Sequence, residues 1–209
     1  MKIAVVCANG KAGKLIVEEA IARNIDVTAI ARGNNKTKAI NYIEKDIFDI
    51  SYDDVKDYDV IIDAFGTWEP DTLSQHSSTL KHLCDLVSNK DTRLLVVGGA
   101  GSLYVNQEHT IQVMDGIDFP EMFKPLASHM GKALEELRTR NDVKWTYISP
   151  AADFQVEGIE TGSYILGGEE LILNSKGESK ISYADYAIAV IDEATQGNNI
   201  QKRISVVSE

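Results

Sequence analysis

The chain predicts an α/β fold, a doubly wound parallel sheet, and three observations lead there. Short apolar runs recur along the 209 residues, with amphipathic segments of helix length between them. The runs are continuous rather than alternating, as in Val60-Ile61-Ile62 and Leu94-Leu95-Val96-Val97, which is how strands covered on both faces read. The first run also passes directly into a glycine turn, Cys7-Ala8-Asn9-Gly10-Lys11-Ala12-Gly13, before any helical pattern begins. Right-handed crossovers are the expected links in such a chain.

Each element follows in order. Ile3-Ala4-Val5-Val6 sets a first strand over residues 2–7. Over 12–23, Leu15, Ile16, Glu19, Ala20 and Arg23 separate into two helical faces. Further strands are expected over 27–31, 41–44, 59–64, 93–98 and 144–149. A helix over 73–88 carries Leu73, Leu80, Leu83, Cys84 and Val87, and another over 121–140 places Met130, Ala133, Leu134 and Leu137 on one face. After Pro150 the texture changes. Gly158, Gly162, Gly167, Gly168 and Gly177, with short pieces such as Leu171-Ile172-Leu173, predict a lobe of loops and a hairpin over 151–180. Ile181-Ser182-Tyr183-Ala184-Asp185 opens a helix to about Thr195, with Ser182 or Asp185 as its cap. A strand from Arg203 to Val207 closes a single domain, 1–209, whose small C-terminal lobe is expected to face a substrate.

Composition narrows the function classes. A net charge of -11, from 21 basic and 32 acidic residues, disfavours nucleic acid and anionic membrane as partners. Cys7 and Cys84 lie far apart without metal-ligand spacing, as do the histidines, so no metal is expected and the cysteines read as small residues in a reducing compartment. No secretory core of roughly 7–15 apolar residues follows Met1-Lys2. No run approaches the ~20 residues of a membrane span, which makes a cytoplasmic protein the expectation, as monomer or homodimer.

The turn between first strand and first helix carries the chemistry. A pyrophosphate needs backbone N–H groups at a helix N-terminus and no side chains in the way. Gly10 lets the backbone approach, and Gly13 lets the helix pack close on the sheet. Cys7 stands where a three-glycine fingerprint has its first glycine, so the turn either uses ordinary backbone angles or is altered, unless Cys7 is a redox thiol facing the cofactor. At the end of the second strand, where an acidic residue would bind the ribose of NAD, stands Arg32, about 19 residues past Gly13 and followed by Gly33-Asn34-Asn35-Lys36. Arginine suits a 2′-phosphate, so NADP(H) is favoured over NAD(H); a solvated surface arginine is the alternative.

Several segments together resemble the atypical short-chain dehydrogenase/reductase superfamily, and within it the NADH-flavin reductase group related to biliverdin reductase B and the NmrA-like proteins. They are Ala8 to Gly13, Asp63-Ala64-Phe65-Gly66, Val96-Val97-Gly98-Gly99-Ala100-Gly101-Ser102-Leu103, Trp145 to Ala151, Glu160-Thr161-Gly162-Ser163-Tyr164 and Ile181 to Ala187. The resemblance implies an NAD(P)-binding Rossmann fold. It implies that Ala8, Asn9, Gly10, Lys11, Ala12 and Gly13 hold the pyrophosphate and that Asp46 and Ile47 flank the adenine. Ala64, Phe65 and Gly66 would line the adenosine ribose side, Val97, Gly98 and Gly99 the nicotinamide ribose, and Pro150 with Ala151 the nicotinamide.

The superfamily's usual acid/base set is a serine with Tyr-x-x-x-Lys. Here Tyr52 and Lys56 have that spacing but fall between the third and fourth strands, and the helix at 121–140 has no tyrosine. Ser102 and His129 are the remaining catalytic candidates, each with a bland alternative as a turn or capping residue. Tyr104, Phe123 and Phe154 are candidates for a wall against a planar ring, or for core and lid. Without the dyad, the implied activity is NADPH-dependent reduction of a flavin, a quinone or a similar planar acceptor, for which orientation and water exclusion suffice. A non-catalytic NADP-binding redox sensor of NmrA-like type is the alternative, and a sugar epimerase or dehydratase a weaker third reading.

Overall fold

The computed structural model describes all 209 residues. The expected alternation is present: β1 (Lys2–Val6), α1 (Lys11–Ala22), β2 (Asp26–Ala31), β3 (Asn41–Glu44), the short α2 (Tyr52–Val55), β4 (Val60–Asp63), α3 (Gln75–Leu86), β5 (Arg93–Val97), α4 (Lys124–Arg138) and β6 (Lys144–Ser149). Then come β7 (Asp153–Gln155), β8 (Tyr164–Gly167), β9 (Lys180–Ser182), α5 (Tyr183–Gln196) and β10 (Lys202–Ser208). Eight strands form one sheet in the order β3-β2-β1-β4-β5-β6-β10-β8, parallel throughout except for β8 against β10. The order turns back between β1 and β4, so the crevice outside the carboxyl ends of those strands is where such a sheet binds ligands.

The continuous apolar runs are explained by burial on both faces. Ile3, Val5, Ile62 and Leu95 pack with Ile16, Val17 and Ala20 of α1 and with Tyr186, Ala189 and Val190 of α5. The intervening residues Ala4, Val6, Ile61, Leu94 and Val96 pack with Leu80 and Leu83 of α3 and with Ala133, Leu134 and Leu137 of α4. Each run thus feeds two cores in alternation. Arg93, at the start of the interior strand β5, pairs with Glu193 at 2.5 Å, both nearly buried, and also donates to the Glu193 carbonyl at 2.9 Å, so one guanidinium joins β5 to the C-terminal turn of α5.

The lobe over 151–180 differs from the expected hairpin. Leu171-Ile172-Leu173 forms no strand. β8 instead adds antiparallel to the sheet edge at β10, and β7 pairs parallel with β9 in a separate two-stranded ribbon. Residues 180–182 are strand rather than helix start, because their backbone is committed to β7. Ser182 is the cap of α5, its Oγ accepting from the Asp185 N–H at 3.0 Å. Asp185 has a different task. Its buried carboxylate accepts from the N–H groups of Thr161 and Gly162, both at 2.9 Å, and from Ser208 Oγ at 3.0 Å, which moors the lobe to the sheet. No helix is long and apolar enough to cross a membrane.

Candidate functional site

The site begins where β1 runs into α1. Cys7 takes φ 58°, the left-handed conformation a glycine would adopt, and its carbonyl accepts from the Gly10 N–H at 3.0 Å. The turn therefore keeps the glycine-type backbone with a cysteine in it, at a local cost of about 1–2 kcal/mol. The Cys7 thiol is pushed up to about 12, chiefly by burial and further by Asp63, so it stays protonated and is not a redox-active thiolate. A Cβ on Gly13 would lie 2.8 Å from Ala8 Cα and 2.9 Å from the Cys7 carbonyl oxygen, which is the close helix–turn packing the sequence required. No side chain caps the first turn of α1 and no carboxylate lies in it. The bare N-terminus, reached over Gly10, fits a pyrophosphate.

Asn9 plays a part that spacing alone did not reveal. Its Nδ2 donates to the carbonyls of Arg32 at 3.1 Å and Asn34 at 3.0 Å, and its Oδ1 accepts from the Lys36 N–H at 2.8 Å. Tyr42 donates from its hydroxyl to the Ala31 carbonyl at 3.0 Å. The loop after β2 is thereby tied to the glycine turn. Arg32 stands on that loop with 81% of its side chain exposed, 3.6 Å from the Asp46 carboxylate. Asp46 also accepts from the Phe48 N–H at 3.0 Å, capping the turn that buries Ile47. An exposed ion pair contributes only about 0–1 kcal/mol, so the Arg32 guanidinium is free to turn to a phosphate. Lys11 is exposed at the first position of α1.

At the ends of β4 and β5 a small cavity is lined by Asp63, Phe65, His76, Val97, Met130 and Tyr147, among others. Asp63 is the residue sequence reasoning passed over as a site group. It is buried, its one hydrogen bond is from the Phe65 N–H at 2.9 Å, and burial pushes its carboxyl up to about 6. The signal was there: a lone carboxylate ending the run Val60-Ile61-Ile62. His76 donates from Nε2 to the Thr67 carbonyl, 3.2 Å away, and burial holds its pKa down. Gly98 lies under the Tyr147 ring, where a Cβ would approach Cε1 to 2.3 Å. The Tyr147 hydroxyl accepts from the Gly99 N–H at 3.2 Å. Ala64 and Gly66 continue from β4, and Pro150 is buried just past β6.

The two catalytic candidates lie apart from one another in role. Ser102 is buried, with its Oγ 3.1 Å from Arg203 and its carbonyl accepting from the same guanidinium at 2.8 Å. Arg203 also donates to Ser149 Oγ at 2.9 Å, and Glu169 lies 3.6 Å from it, so Ser102 sits in a structural polar network. His129, on α4, donates from Nδ1 to the Pro125 carbonyl at 2.8 Å, which leaves Nε2 as a lone pair in the neutral ring. The three aromatic candidates fall into three separate pairings. Tyr104 stacks on His109 at 4.6 Å, Phe154 stacks on Tyr183 at 3.8 Å, and Phe123 meets Trp68 edge to face at 5.8 Å. Trp68 follows Phe65 of the cavity wall on the loop after β4, and Phe123 precedes α4, whose Met130 lines the same wall. Lys56, just past the short α2, pairs with Asp53 at 2.9 Å and leads into the amino end of β4, the end opposite Asp63.

Known proteins resemble the chain along its whole length. A family model described as NAD(P)H-binding matches residues 7–195. The crystal structure of a Streptococcus pneumoniae protein whose name proposes an NADH-flavin reductase is 50% identical, covers 100% of both chains and superposes with a TM-score of 0.98. The Bacillus subtilis protein YwnB, itself uncharacterized, is 43% identical over 100% of this chain and 99% of its own. A Bacteroides thetaiotaomicron structure whose name proposes an epimerase is 32% identical, with a TM-score of 0.84 over 99% of this chain and 96% of that one.

Proposed function

The chain belongs to the NAD(P)H-binding family of atypical short-chain dehydrogenases/reductases, and from that membership we propose that it is an NADPH-dependent reductase of planar conjugated acceptors, flavin-like or quinone-like. When bound, the dinucleotide supplies a hydride. The chain's own residues bind and orient. The Ala8–Gly13 turn and the bare N-terminus of α1 take the pyrophosphate, and Arg32 takes the 2′-phosphate. Gly98 and Gly99 bring backbone rather than side chains to the nicotinamide end, and Phe65, Val97 and Met130 keep water out.

One observation carries the choice of acceptor. α4, where the superfamily's tyrosine and lysine dyad belongs, reads Lys124-Pro125-Leu126-Ala127-Ser128-His129-Met130 without a tyrosine, and Ser102 is held by Arg203. Reducing an alcohol-forming carbonyl needs a positioned acid, as does epimerisation its base. A flavin or quinone draws hydride by its own electrophilicity and takes its proton from solvent.

The test follows NADPH oxidation with FMN, FAD and a series of quinones. Turnover with at least one is expected. Binding of NADPH without turnover across the series overturns the proposal and favours an NADP-dependent regulator, recognised by partner capture that changes with the NADP/NADPH ratio.

A further inference from the structure

Trp68 is two-thirds exposed, and beside it in the fold Phe123 is 38% exposed; Met122, next to Phe123, is 78% exposed. Single exposed apolar residues are ordinary, but a tryptophan and a phenylalanine paired in solvent leave much of their 150–250 Å² each unburied. Their placement gives a reason. Trp68 comes from the loop after β4, three residues past Phe65 of the cavity wall. Phe123 comes from the turn that leads into α4, whose Met130 and Ala133 line the same cavity. The rings meet at 73° with centroids 5.8 Å apart, an edge-to-face contact that leaves two-thirds of Trp68 in solvent.

The loop bearing Trp68 is also braced. The Thr67 and Thr72 hydroxyls are 2.5 Å apart, Thr72 Oγ1 donates to the Glu69 carbonyl at 3.1 Å, and His76 holds the Thr67 carbonyl. A fixed, exposed aromatic face costs little to order on binding, which is the property of an anchoring platform. By contrast, Phe154 is covered by Tyr183 and Tyr186, and Tyr104 by His109.

We propose that Trp68, with Phe123 beside it, is the stacking platform that selects a planar conjugated acceptor at the mouth of the β4–β5 cavity. The proposal rests on the reductase reading for the acceptor's class. Specificity then follows from ring area: flat, fused-ring acceptors are held and saturated ketones are not.

Intrinsic fluorescence reads it without turnover. The chain has two tryptophans, and the other, Trp145, is buried at 4% exposure. Wild type and Trp68→Phe, each loaded with NADP⁺, are titrated with FMN and with a naphthoquinone. Saturable quenching is expected in wild type beyond that in Trp68→Phe, which corrects for absorption by the probe. Trp68→Ala is expected to raise the acceptor KM about tenfold, the equivalent of about 1.4 kcal/mol, with the KM for NADPH unchanged and partial recovery in Trp68→Phe. Equal quenching in the two proteins, or an unchanged acceptor KM in Trp68→Ala, overturns the platform while leaving the reductase reading intact. Saturable quenching by a protein that turns over none of the acceptors sinks the reductase reading and keeps the platform.

Discussion

The side-chain amide of Asn9 donates to the backbone carbonyl of Arg32 at 3.1 Å, so the glycine turn positions the residue expected to choose the cofactor. Asn9→Ala removes that bond along with those to Asn34 and Lys36. A loss of about 1–2 kcal/mol of stability is expected, since each such bond is worth about 1 kcal/mol net and the loop groups regain water. NADPH affinity should fall several-fold through the loosened loop. Thermal denaturation and calorimetric titration check the two effects; an unchanged affinity refutes the coupling.

Arg32→Ala should weaken NADPH binding by roughly 10–100-fold, the worth of one charge-assisted bond to phosphate, and leave NADH almost unchanged. The weak 3.6 Å contact to Asp46 makes little demand on the guanidinium. Dissociation constants for both dinucleotides decide this, and a constant NADPH/NADH ratio rules out a 2′-phosphate role.

Asp63 predicts a pH dependence. Its folded-state pKa, about 6, lies above that of a free carboxyl, so the folded chain holds a proton that the unfolded chain has released in the window between them. Stability therefore falls as pH rises through that window, by about 3 kcal/mol in all at roughly 1.4 kcal/mol per unit. Asp63→Asn should lack this component. Urea midpoints of both proteins from pH 4 to 7.5 should lie close together at the acid end, separate progressively up to about pH 6 and keep a constant gap above it, with the variant higher; a gap that does not change across the whole range excludes the assignment.

Two glycines of the strand-end loops should respond differently to alanine. At Gly98 the added Cβ meets the Tyr147 ring at 2.3 Å inside a packed core, so Gly98→Ala should cost about 1–3 kcal/mol by overpacking. At Gly66 nothing lies within 4 Å, and Gly66→Ala should fold as wild type does. Melting temperatures of the two variants, compared side by side, test the contrast.

Arg93→Met leaves Glu193 buried without its cation, and the α5 carbonyls lose their donor. A cost of about 3–5 kcal/mol is expected, or roughly 10 °C for a domain of this size. The double variant Arg93→Met/Glu193→Leu should recover part of it.

The main sheet was legible because buried parallel strands and their helices impose periods on the sequence itself. Strand β3 and the helix carrying Leu80, Leu83 and Cys84 fall where those periods put them. The lobe was not, because β8 and β7 find their partners far along the chain, at β10 and β9, and short strands with long-range pairing leave no local period. The same division runs through the site. Gly10, Gly13 and Arg32 carry roles that depend on residue type and spacing. Asn9, Asp63 and Trp68 depend on what the fold brings beside them: the loop after β2, a closed wall, and Phe123. Ser102 matched the superfamily's serine by position, yet only the approach of Arg203 from β10 shows where its hydroxyl is spent.

The two native thiols have a practical consequence. Burial pushes both Cys7 and Cys84 up to about 12. Burial that raises a thiol in this way keeps its reactive thiolate scarce at neutral pH, so maleimide reagents should pass over both. A single cysteine introduced at Ile117, which is 99% exposed in the loop before α4, can then be labelled in the otherwise unaltered chain. A fluorophore or spin label placed there reports distances to the Trp68 side of the site without a cysteine-free background having to be built first.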